Sequence, residues 1–284
     1  MVHIYKIGER HEAMSTVTKP FTSVYGPVQS WRFGRSLGID PIGPDSTCSF
    51  NCVYCQLGEI EHQSCNRQIF VPTQKIQQDL QSFPVGDVNT ITLSGSGEPT
   101  LALNLGEILV MAKEMTRKPV GVLTNGSLLG DRAVCDELAM ADWVAVKVDA
   151  IAAESFCRIN RPMPTIHLQD IWAGLLQFRQ LYSGHLAIQT MLLTEWNEQD
   201  RAEYIRRMQT LLPDEIQLNT PTRLCPLTHQ LEARGNDPPN ACLYPTRQLK
   251  QVKAEVLQVF GDRIERVIGI PMRYPSLKPE AENP

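Results

Sequence analysis

The sequence lacks the segments that would direct a chain into or across a membrane. Its first 20 residues contain no continuous apolar run, because charged and histidine side chains interrupt them throughout. No stretch elsewhere reaches the ~20 apolar residues that a membrane-spanning helix needs. These absences predict a cytoplasmic protein, since a secretory signal peptide requires an apolar core. In the reducing cytoplasm, the eight cysteines are expected to bind metal or carry out redox chemistry rather than form disulfides.

The chain also lacks an excess of basic residues. It has 27 Lys and Arg against 31 Asp and Glu, for a formal net charge of −4. A broad nucleic-acid-binding surface normally shows a basic footprint, so this balance argues against one while allowing a local basic patch. Internal repeats, low-complexity segments and linkers are absent too. With 284 residues and 42% hydrophobic content, the sequence predicts one domain with a sizeable core.

Three cysteines stand close together between residues 46 and 58. Cys48, Cys52 and Cys55 follow a C-x-x-x-C-x-x-C spacing, with Tyr54 directly before the last. Thiolates are the usual protein ligands of iron–sulfur clusters, and three of them can hold three irons of a cubane [4Fe–4S] cluster. The fourth iron would then have an open coordination position, which is typical of a catalytic rather than a structural metal site.

The alternative for this triplet is a structural zinc site with Cys65 as fourth ligand. Zinc sites usually combine two C-x-x-C hooks, or one hook with a histidine pair, whereas this stretch has a single hook. Of the other cysteines, Cys135 and Cys157 are expected to be buried as small hydrophobic residues. Cys225 and Cys242 could bind an auxiliary cluster with Cys65, or Cys225 could face a substrate. Without hook spacing, we expect these residues to be incidental.

Downstream of the cysteines, short apolar runs alternate with segments of helical period. The apolar runs predict strands over Leu37–Ile42, Val88–Leu93, Val120–Leu123, Trp143–Val148, Leu186–Leu193 and Glu215–Leu218. The periodic segments predict helices over Thr73–Ser82, Leu105–Thr116, Asp131–Met140, Ile166–Tyr182, Glu198–Leu211 and Thr246–Phe260. Thr73 and Thr246 each follow a proline and are the predicted N-caps of their helices.

Six strands alternating with six helices indicate βαβ units and a parallel sheet. A closed eightfold barrel would need two more such units. We therefore predict an α/β fold, an open, partial (βα)6 TIM-like barrel with helices on its outside. Residues 1–24 are expected to form an irregular N-terminal leader and residues 25–262 the barrel. Residues 263–284 would be a C-terminal extension, with a further strand over Ile264–Ile270 and a disordered tail.

Polar residues follow the predicted strands at the points where they end, which is where functional groups collect in parallel α/β folds. The candidate cofactor-binding residues are Gly95, Ser96, Gly97, Glu98, Asn125, Lys147, Asp149, Gln189 and Asn219. Each also has a plain alternative. The glycine-rich segment could be a simple βα turn, Asn125 before glycine is a good turn residue, and Lys147 could pair with Asp149. Their recurrence at successive strand ends favours a shared site.

The cysteine triplet with its aromatic residue resembles the signature of the radical S-adenosylmethionine (SAM) superfamily. The segment Gly95–Pro99 resembles the Gly-Gly-Glu-Pro segment of that superfamily, with serine in place of the second glycine. The resemblance implies a partial barrel and a [4Fe–4S] cluster held by Cys48, Cys52 and Cys55. It further implies that the open iron chelates SAM through its amino and carboxylate groups.

The same resemblance implies roles for residues at the strand ends. Glu98 and the glycine backbone would bind the α-amino group of SAM, and Asn125 its carboxylate or ribose. Asp149 would bind a ribose hydroxyl, and Lys147 would face substrate or SAM. The implied reaction takes one electron from a flavodoxin- or ferredoxin-like donor. The reduced cluster then cleaves SAM to methionine and a 5′-deoxyadenosyl radical, which abstracts hydrogen from the substrate.

Four segments resemble a subgroup of small radical SAM proteins related to the tRNA wyosine-base synthases. They are Tyr25–Asp40, Cys52–Gly58, Asn160–Pro162 and Gln217–Pro221. Wyosine synthases carry a second cysteine set on the N-terminal side of the first, whereas no cysteine precedes Cys48 here. This departure argues against the pyruvate-condensing chemistry of those enzymes.

A modified RNA base, as in tRNA, is the favoured substrate hypothesis. Trp31, Arg32, Phe33 and Arg35 interleave aromatic and guanidinium groups that could stack on an unpaired base, and Arg223 is a further candidate contact. Alternatively, these side chains pack the N-terminal segment against the barrel. A small molecule, a peptide or a partner protein is the other substrate class. A zinc-stabilised interaction module without catalysis is the alternative of another kind.

Overall fold

A computed structural model describes residues 21–235 and 244–275 of the chain. The strands are β1 (Val24–Ser30), β2 (Gly34–Ile39), β3 (Thr47–Cys48), β4 (His62–Gln63), β5 (Thr90–Leu93), β6 (Val120–Thr124), β7 (Trp143–Lys147), β8 (His185–Met191), β9 (Glu215–Asn219), β10 (Cys225–Pro226), β11 (Thr246–Arg247) and β12 (Met272–Arg273). The helices are α1 (Thr73–Gln81), α2 (Leu105–Thr116), α3 (Arg132–Leu138), α4 (Ala153–Asn160), α5 (Leu168–Leu181), α6 (Glu198–Leu211) and α7 (Ala254–Ile268). No helix in the two described ranges is long and apolar enough to cross a bilayer.

Eight strands form one curled sheet in the order β1-β2-β5-β6-β7-β8-β9-β12. Each neighbouring pair from β2 to β12 is parallel, while β1 runs antiparallel to β2. Because strands that follow each other along the chain lie side by side, the sheet grows by repeated βα units. The curl brings the edge strand β12 close to the β1–β2 turn, where the Arg273 side chain donates a 2.6 Å hydrogen bond to the Arg32 carbonyl. The strand order and the parallel pairing confirm the predicted open half-barrel.

One face of the sheet, its convex face, packs against the outer helices and is apolar. Its side chains are fully buried on all six central strands: Leu37, Ile39, Ile91, Leu93, Val120, Val122, Val144, Val146, Leu186, Ile188, Ile216 and Leu218. They form a single cluster with apolar residues of the outer helices. Side chains alternate between the two faces of a strand, so these runs place every second residue in this core.

The concave face, on the inside of the curl, is lined by small and polar residues. Among them are Ser36, Thr92, Lys147 and Gln189. At the end where the strands begin, Phe33 stacks on Trp143 with ring centroids 4.1 Å apart and planes inclined by 14°. Gly121 leaves room for that ring, since a Cβ there would lie 1.9 Å from it. Aromatic packing therefore closes this end of the half-barrel.

Five of the six predicted helices lie within two residues of their predicted bounds. Thr73 is the first residue of α1 rather than its N-cap, which is Pro72. Two elements were not predicted from the sequence, the eight-residue helix α4 and the edge strand β1. In β1, the Gly26-Pro27 dipeptide hides the strand pattern. The first central strand, β2, ends at Ile39, three residues before the predicted end.

The prediction for the last helix is wrong at its start. Thr246 belongs to β11, which pairs with β10, and α7 begins after its N-cap Lys253. Helix α7 continues to Ile268 and so runs through residue 262, the predicted end of the barrel. The predicted strand over Ile264–Ile270 is also wrong, because the helical spacing of buried apolar residues extends to Ile264.

Candidate cofactor-binding site

The loop that carries the three cysteines is held on one side by the glycine-rich segment after β5. Thr47 forms a parallel bridge with Gly97, in which the Glu98 amide donates to the Thr47 carbonyl at 3.1 Å. The Thr47 amide in turn donates to the carbonyl of Ser96 at 3.2 Å. A Cβ on Gly97 would lie 1.7 Å from the Thr47 carbonyl oxygen. Glycine is therefore required here because two backbones meet.

On its other side, the cysteine loop is held by the end of α4. The Val53 amide donates to the carbonyl of Ile159 at 2.9 Å, and the Asn51 amide to that of Asn160 at 3.1 Å. The Met163 amide returns a 3.0 Å hydrogen bond to the carbonyl of Ser49. These contacts clamp the loop between two parts of the half-barrel and preset its conformation.

A cavity of about 270 Å³ lies between this loop and the ends of the strands. Ten of the predicted site residues line it: Cys48, Cys52, Cys55, Gly95, Gly97, Glu98, Asn125, Lys147, Gln189 and Asn219. Ser96 and Asp149 do not line it, and both are buried. Ser96 donates to Asp40 through its hydroxyl and, at 3.0 Å, through its amide. Five stretches far apart in the chain thus share one space with the thiols.

The three thiols are suited to binding a metal cluster. Burial raises the pKa of each, that of Cys52 to about 11, so the thiolates need a cation to form. Cys48 Sγ accepts from the Phe50 amide at 3.4 Å, and Cys52 Sγ accepts from Asn160 Nδ2 at 3.5 Å. Such N–H donors stabilise the negative charge on cluster sulfurs. Three thiols with supporting donors fit a cubane cluster that keeps one iron open.

The structure gives the zinc alternative no fourth ligand at Cys65. The thiol of Cys65 contacts Met163 Sδ at 3.5 Å, and Cys65 is not among the residues that line the cavity. Within the described ranges, no three Cys, His, Asp or Glu side chains are arranged around one ion position. A cubane does not need that arrangement, because each thiolate binds a different iron.

The remaining cysteines lie elsewhere. Cys135 is buried as predicted, whereas Cys157 is exposed, because it lies on the outer side of the short helix α4. Cys225 is buried against Tyr54 and Ile159 and does not line the cavity. Cys242 lies outside the described residues.

Glu98 is a buried carboxylate held by four donors. One oxygen accepts from the Thr100 amide and hydroxyl and from the Thr124 hydroxyl, at 3.1, 2.7 and 2.6 Å. The other accepts from the Asn125 amide at 2.7 Å. Burial raises the pKa of this carboxyl, while the four donors oppose that rise. The second oxygen keeps spare acceptor capacity at the cavity wall, where a ligand ammonium could use it.

Asp149 lies directly behind the cavity and fixes Tyr54. Its carboxylate accepts from the Tyr54 hydroxyl, from Asn160 Nδ2 at 2.7 Å and from the Met191 amide at 2.8 Å. Lys147 Nζ donates to the same tyrosine hydroxyl at 3.1 Å, so Tyr54 stands between the lysine and the aspartate. The two residues therefore do not form a direct ion pair. Asp149 reaches the cavity through Tyr54, and its expected contact with a ribose stays a prediction.

A polar ladder crosses the concave face on β8 and β9. Gln189 Nε2 donates to Gln217 Oε1 at 2.9 Å, and Gln217 Nε2 donates to Glu215 Oε1 at 2.5 Å. Glu215 then pairs with Arg273 at 3.0 Å. None of the roles of Gln217, Tyr54 and Asn160 was predicted from the sequence. The alternation of Glu215, Gln217 and Asn219 was the available signal, because it places three polar residues on one strand face.

The aromatic and arginine stretch does not form one platform. Phe33 is packed against Trp143, and Trp31 is 37% exposed. Arg32 lines the cavity. The packing interpretation therefore holds for Phe33, while base stacking by Trp31 stays a prediction.

A curled parallel half-barrel with three thiols at its polar edge defines a class of iron–sulfur enzymes that use SAM. The profile of the Radical SAM superfamily matches residues 45–208, more than half of the chain, and the chain belongs to this superfamily. It is a radical SAM enzyme, with a [4Fe–4S] cluster and SAM as its cofactors.

The chain is 50% identical to a UPF0026 protein of Synechocystis sp. over 261 residues. The aligned region covers 91% of this chain and 98% of that protein. A UPF0026 protein of Methanocaldococcus jannaschii is 33% identical over 209 residues, or 71% of this chain and 64% of the relative. Streptococcus suis SuiB bound to S-adenosylmethionine superposes with a TM-score of 0.58 and 12% identity over 82% of this chain. The chain spans 49% of SuiB, and at this identity the likeness shows the fold alone.

Proposed function

We propose that Cys48, Cys52 and Cys55 hold the [4Fe–4S] cluster and that SAM binds beside it in the 270 Å³ cavity. The observation that supports this most directly is that three half-buried cysteines share one cavity with the glycine-rich segment and with Glu98. When bound, the cluster supplies the electron that cleaves SAM and generates a 5′-deoxyadenosyl radical for hydrogen abstraction from a substrate.

The protein's own residues would position SAM and exclude water. Glu98 and the backbone at Gly95 offer acceptors for the SAM ammonium, as their place on the cavity wall allows. Asn125 lines the same wall, and its Nδ2 donates to Ser49 at 2.8 Å and to Cys48 Sγ at 3.6 Å, which links the SAM side to the cluster loop. Gln189 and Asn219 complete the far wall. The Phe33–Trp143 stack fills the opposite end of the half-barrel, where it would hinder the entry of water.

The hydrogen donor is an unidentified substrate, and a flavodoxin- or ferredoxin-like protein would supply the electron. A tRNA base remains one hypothesis, since exposed Trp31 with the Arg32 guanidinium 4.9 Å from its ring centre offers a stacking surface. The competing hypothesis is a small molecule that enters the concave face. The shared cavity next to the thiols supports it.

Anaerobic reconstitution with iron and sulfide tests the proposal. Cys48→Ala, Cys52→Ala and Cys55→Ala should each lose the cluster's visible absorption and the 5′-deoxyadenosine formed from SAM with a reductant. Cys65→Ala is the matched control, because its thiol faces Met163 instead of the cavity. Iron content that falls in the control but not in the three variants would contradict the assignment.

A further inference from the structure

A second cavity, of about 90 Å³, adjoins the first on the concave face. Both cavities are lined by Arg32, Gln56, Ser94, Leu123 and Arg223, so they form one continuous space. The lining of the second cavity includes a third arginine, Arg234, and several hydroxyl groups, but no carboxylate among the described residues. The positive charge of these arginines therefore has to be balanced by acidic groups outside the lining or by a bound anion.

Arg234 has its balancing charge within the protein. Its guanidinium pairs with Asp40 at 2.7 Å, and the two side chains are 7% and 0% exposed. It also donates to the carbonyl of Thr22 at 3.3 Å and lies against the ring of Tyr25 at 5.0 Å. A buried arginine with a buried acidic partner and further donors is a structural element, and it has no charge to offer a ligand.

Arg32 and Arg223 differ from Arg234 in this respect. Among the described residues, neither guanidinium forms an ion pair with an Asp or Glu. Arg223 Nη1 donates to the neutral amide oxygen of Gln56, and Arg32 lies over the Trp31 ring. The Nε of Arg32 is buried and has no hydrogen-bond partner. Burial and the nearby charge of Arg223 lower the pKa of Arg32 to about 10.

Arg32 is partly buried, with its Nε shielded from water, whereas Arg223 is exposed at the cavity mouth. With no acid beside them among the described residues, desolvation of Arg32 and repulsion between the two guanidinium groups are both unfavourable. Proteins retain such an arrangement where an anion completes it, and arginine suits planar oxyanions such as carboxylate and phosphate. The net charge of the whole chain is −4, so this local excess of positive charge is not part of a general trend.

We infer that Arg32 and Arg223 bind the oxyanion of a small-molecule substrate, a carboxylate or a phosphate group, at the junction of the two cavities. The inference rests on the proposed function, because it takes the thiol end of the first cavity as the site of cluster and SAM. The substrate would place its charged group at the arginines and direct its reacting carbon towards the thiol end. Two connected, half-open cavities of about 270 and 90 Å³ have room for a small anion but not for a folded polynucleotide.

Isothermal calorimetry on the cluster-loaded enzyme with SAM tests the inference, with inorganic phosphate and acetate as separate probes. We expect at least one probe to bind. Arg32→Gln and Arg223→Gln should each weaken that binding roughly ten- to hundredfold, as loss of a charged hydrogen-bond partner does. Arg35→Gln is the matched control, because this exposed arginine belongs to the same hairpin and lines neither cavity. The preferred probe identifies the oxyanion as phosphate or carboxylate.

Thermal denaturation without added oxyanion provides the second readout. Arg32→Gln and Arg223→Gln should melt no lower than wild type, because each removes an uncompensated charge. A lower melting temperature in both variants would assign the arginines a structural role and overturn the inference. The inference would also be overturned if the wild-type enzyme bound neither phosphate nor acetate, or bound only tRNA.

If phosphate or acetate binds without SAM but not in its presence, the SAM carboxylate occupies the arginines. That result would also overturn the inference. Formation of 5′-deoxyadenosine by wild-type enzyme is scored separately. Its absence would contradict the proposed function, whereas the calorimetric result reports on the oxyanion site alone.

Discussion

The two faces of the same sheet have opposite composition. On the convex face, alternate residues of six neighbouring strands are aliphatic and fully buried under the helices. On the concave face, many of the residues between them are glycine, hydroxyl, amide or charged side chains that surround connected cavities, beside a small apolar cluster around Trp143. Since successive residues of a strand point to opposite faces, each strand contributes apolar residues to one face and polar or small residues to the other.

This difference separates stability from chemistry. The convex face removes apolar surface from water, which stabilises the fold by roughly 25 cal/mol per Å². The concave face buries polar groups, which is tolerated only when they are hydrogen-bonded, as Glu98 and Asp149 are. Substitutions on the convex face should therefore reduce the free energy of unfolding, whereas those on the concave face should change ligand and cluster properties.

The largest effect is expected from leucine truncation on the convex face. Leu93→Ala, on β5, should cost about 3–5 kcal/mol of unfolding free energy, because it leaves a cavity in a fully buried cluster. Leu123→Ala, on neighbouring β6, removes the same atoms from the wall of an existing cavity and should cost clearly less. Urea unfolding followed by circular dichroism compares the two. Equal losses would mean that the two faces contribute alike to stability.

A smaller effect is expected at the buried carboxylate of Asp149. Asp149→Asn replaces an acceptor of three hydrogen bonds with an amide that presents donors to some of the same partners. The loss should be about 1–3 kcal/mol, accompanied by lower cluster occupancy because Tyr54 is released. Asp136→Asn is the control, since its ion pair with Arg132 is exposed on α3. Iron content and melting temperature are the measurements, and identical behaviour of both variants would contradict a role for Tyr54.

The donors to the thiols should affect the reduction potential more than stability. Asn160→Ala removes the N–H that points at Cys52 Sγ, so the cluster should become harder to reduce and its potential more negative. A redox titration followed by electron paramagnetic resonance measures the shift. Asp149→Asn keeps the Asn160 amide and serves as the comparison, since Asn160 also donates to Asp149. An unchanged potential in Asn160→Ala would show that this contact does not tune the cluster.

The smallest effect is expected outside both faces, on the solvent side of α6. Hydrogen bonds from Arg206, with a further contribution from Arg207, lower the pKa of Glu203 from 4.5 to about 2. Its ionised form therefore stabilises the folded state above pH 4.5, and this contribution is lost as the pH falls from 4.5 towards 2. On a solvent-facing helix it should not exceed about 1 kcal/mol. Glu203→Gln should flatten the loss of stability in that pH range, and an unchanged acid profile would contradict this.

The sequence predicted long, local features well and tertiary pairings poorly. The central strands follow from short apolar runs between turn residues, and five helices follow from the helical period of their apolar residues. The start of α7 was mispredicted because Thr246 after a proline is a good N-cap locally, yet it pairs with Pro226 across the β10–β11 ladder. The edge strand β1 has no core pattern of its own and depends on pairing with β2.

By itself, the sequence determined the cysteine spacing, the α/β alternation and the recurrence of polar residues at the strand ends. These are properties of neighbouring residues, and parallel topology alone brings them to one edge of a sheet. Only the tertiary structure decided which of them share a cavity. It placed Tyr54 between Lys147 and Asp149, and it paired Asp40 with Arg234, whereas no described Asp or Glu pairs with Arg32 or Arg223. The physical reason is that a charge is compensated by whatever lies within a few ångströms of it, and those neighbours come from distant parts of the chain.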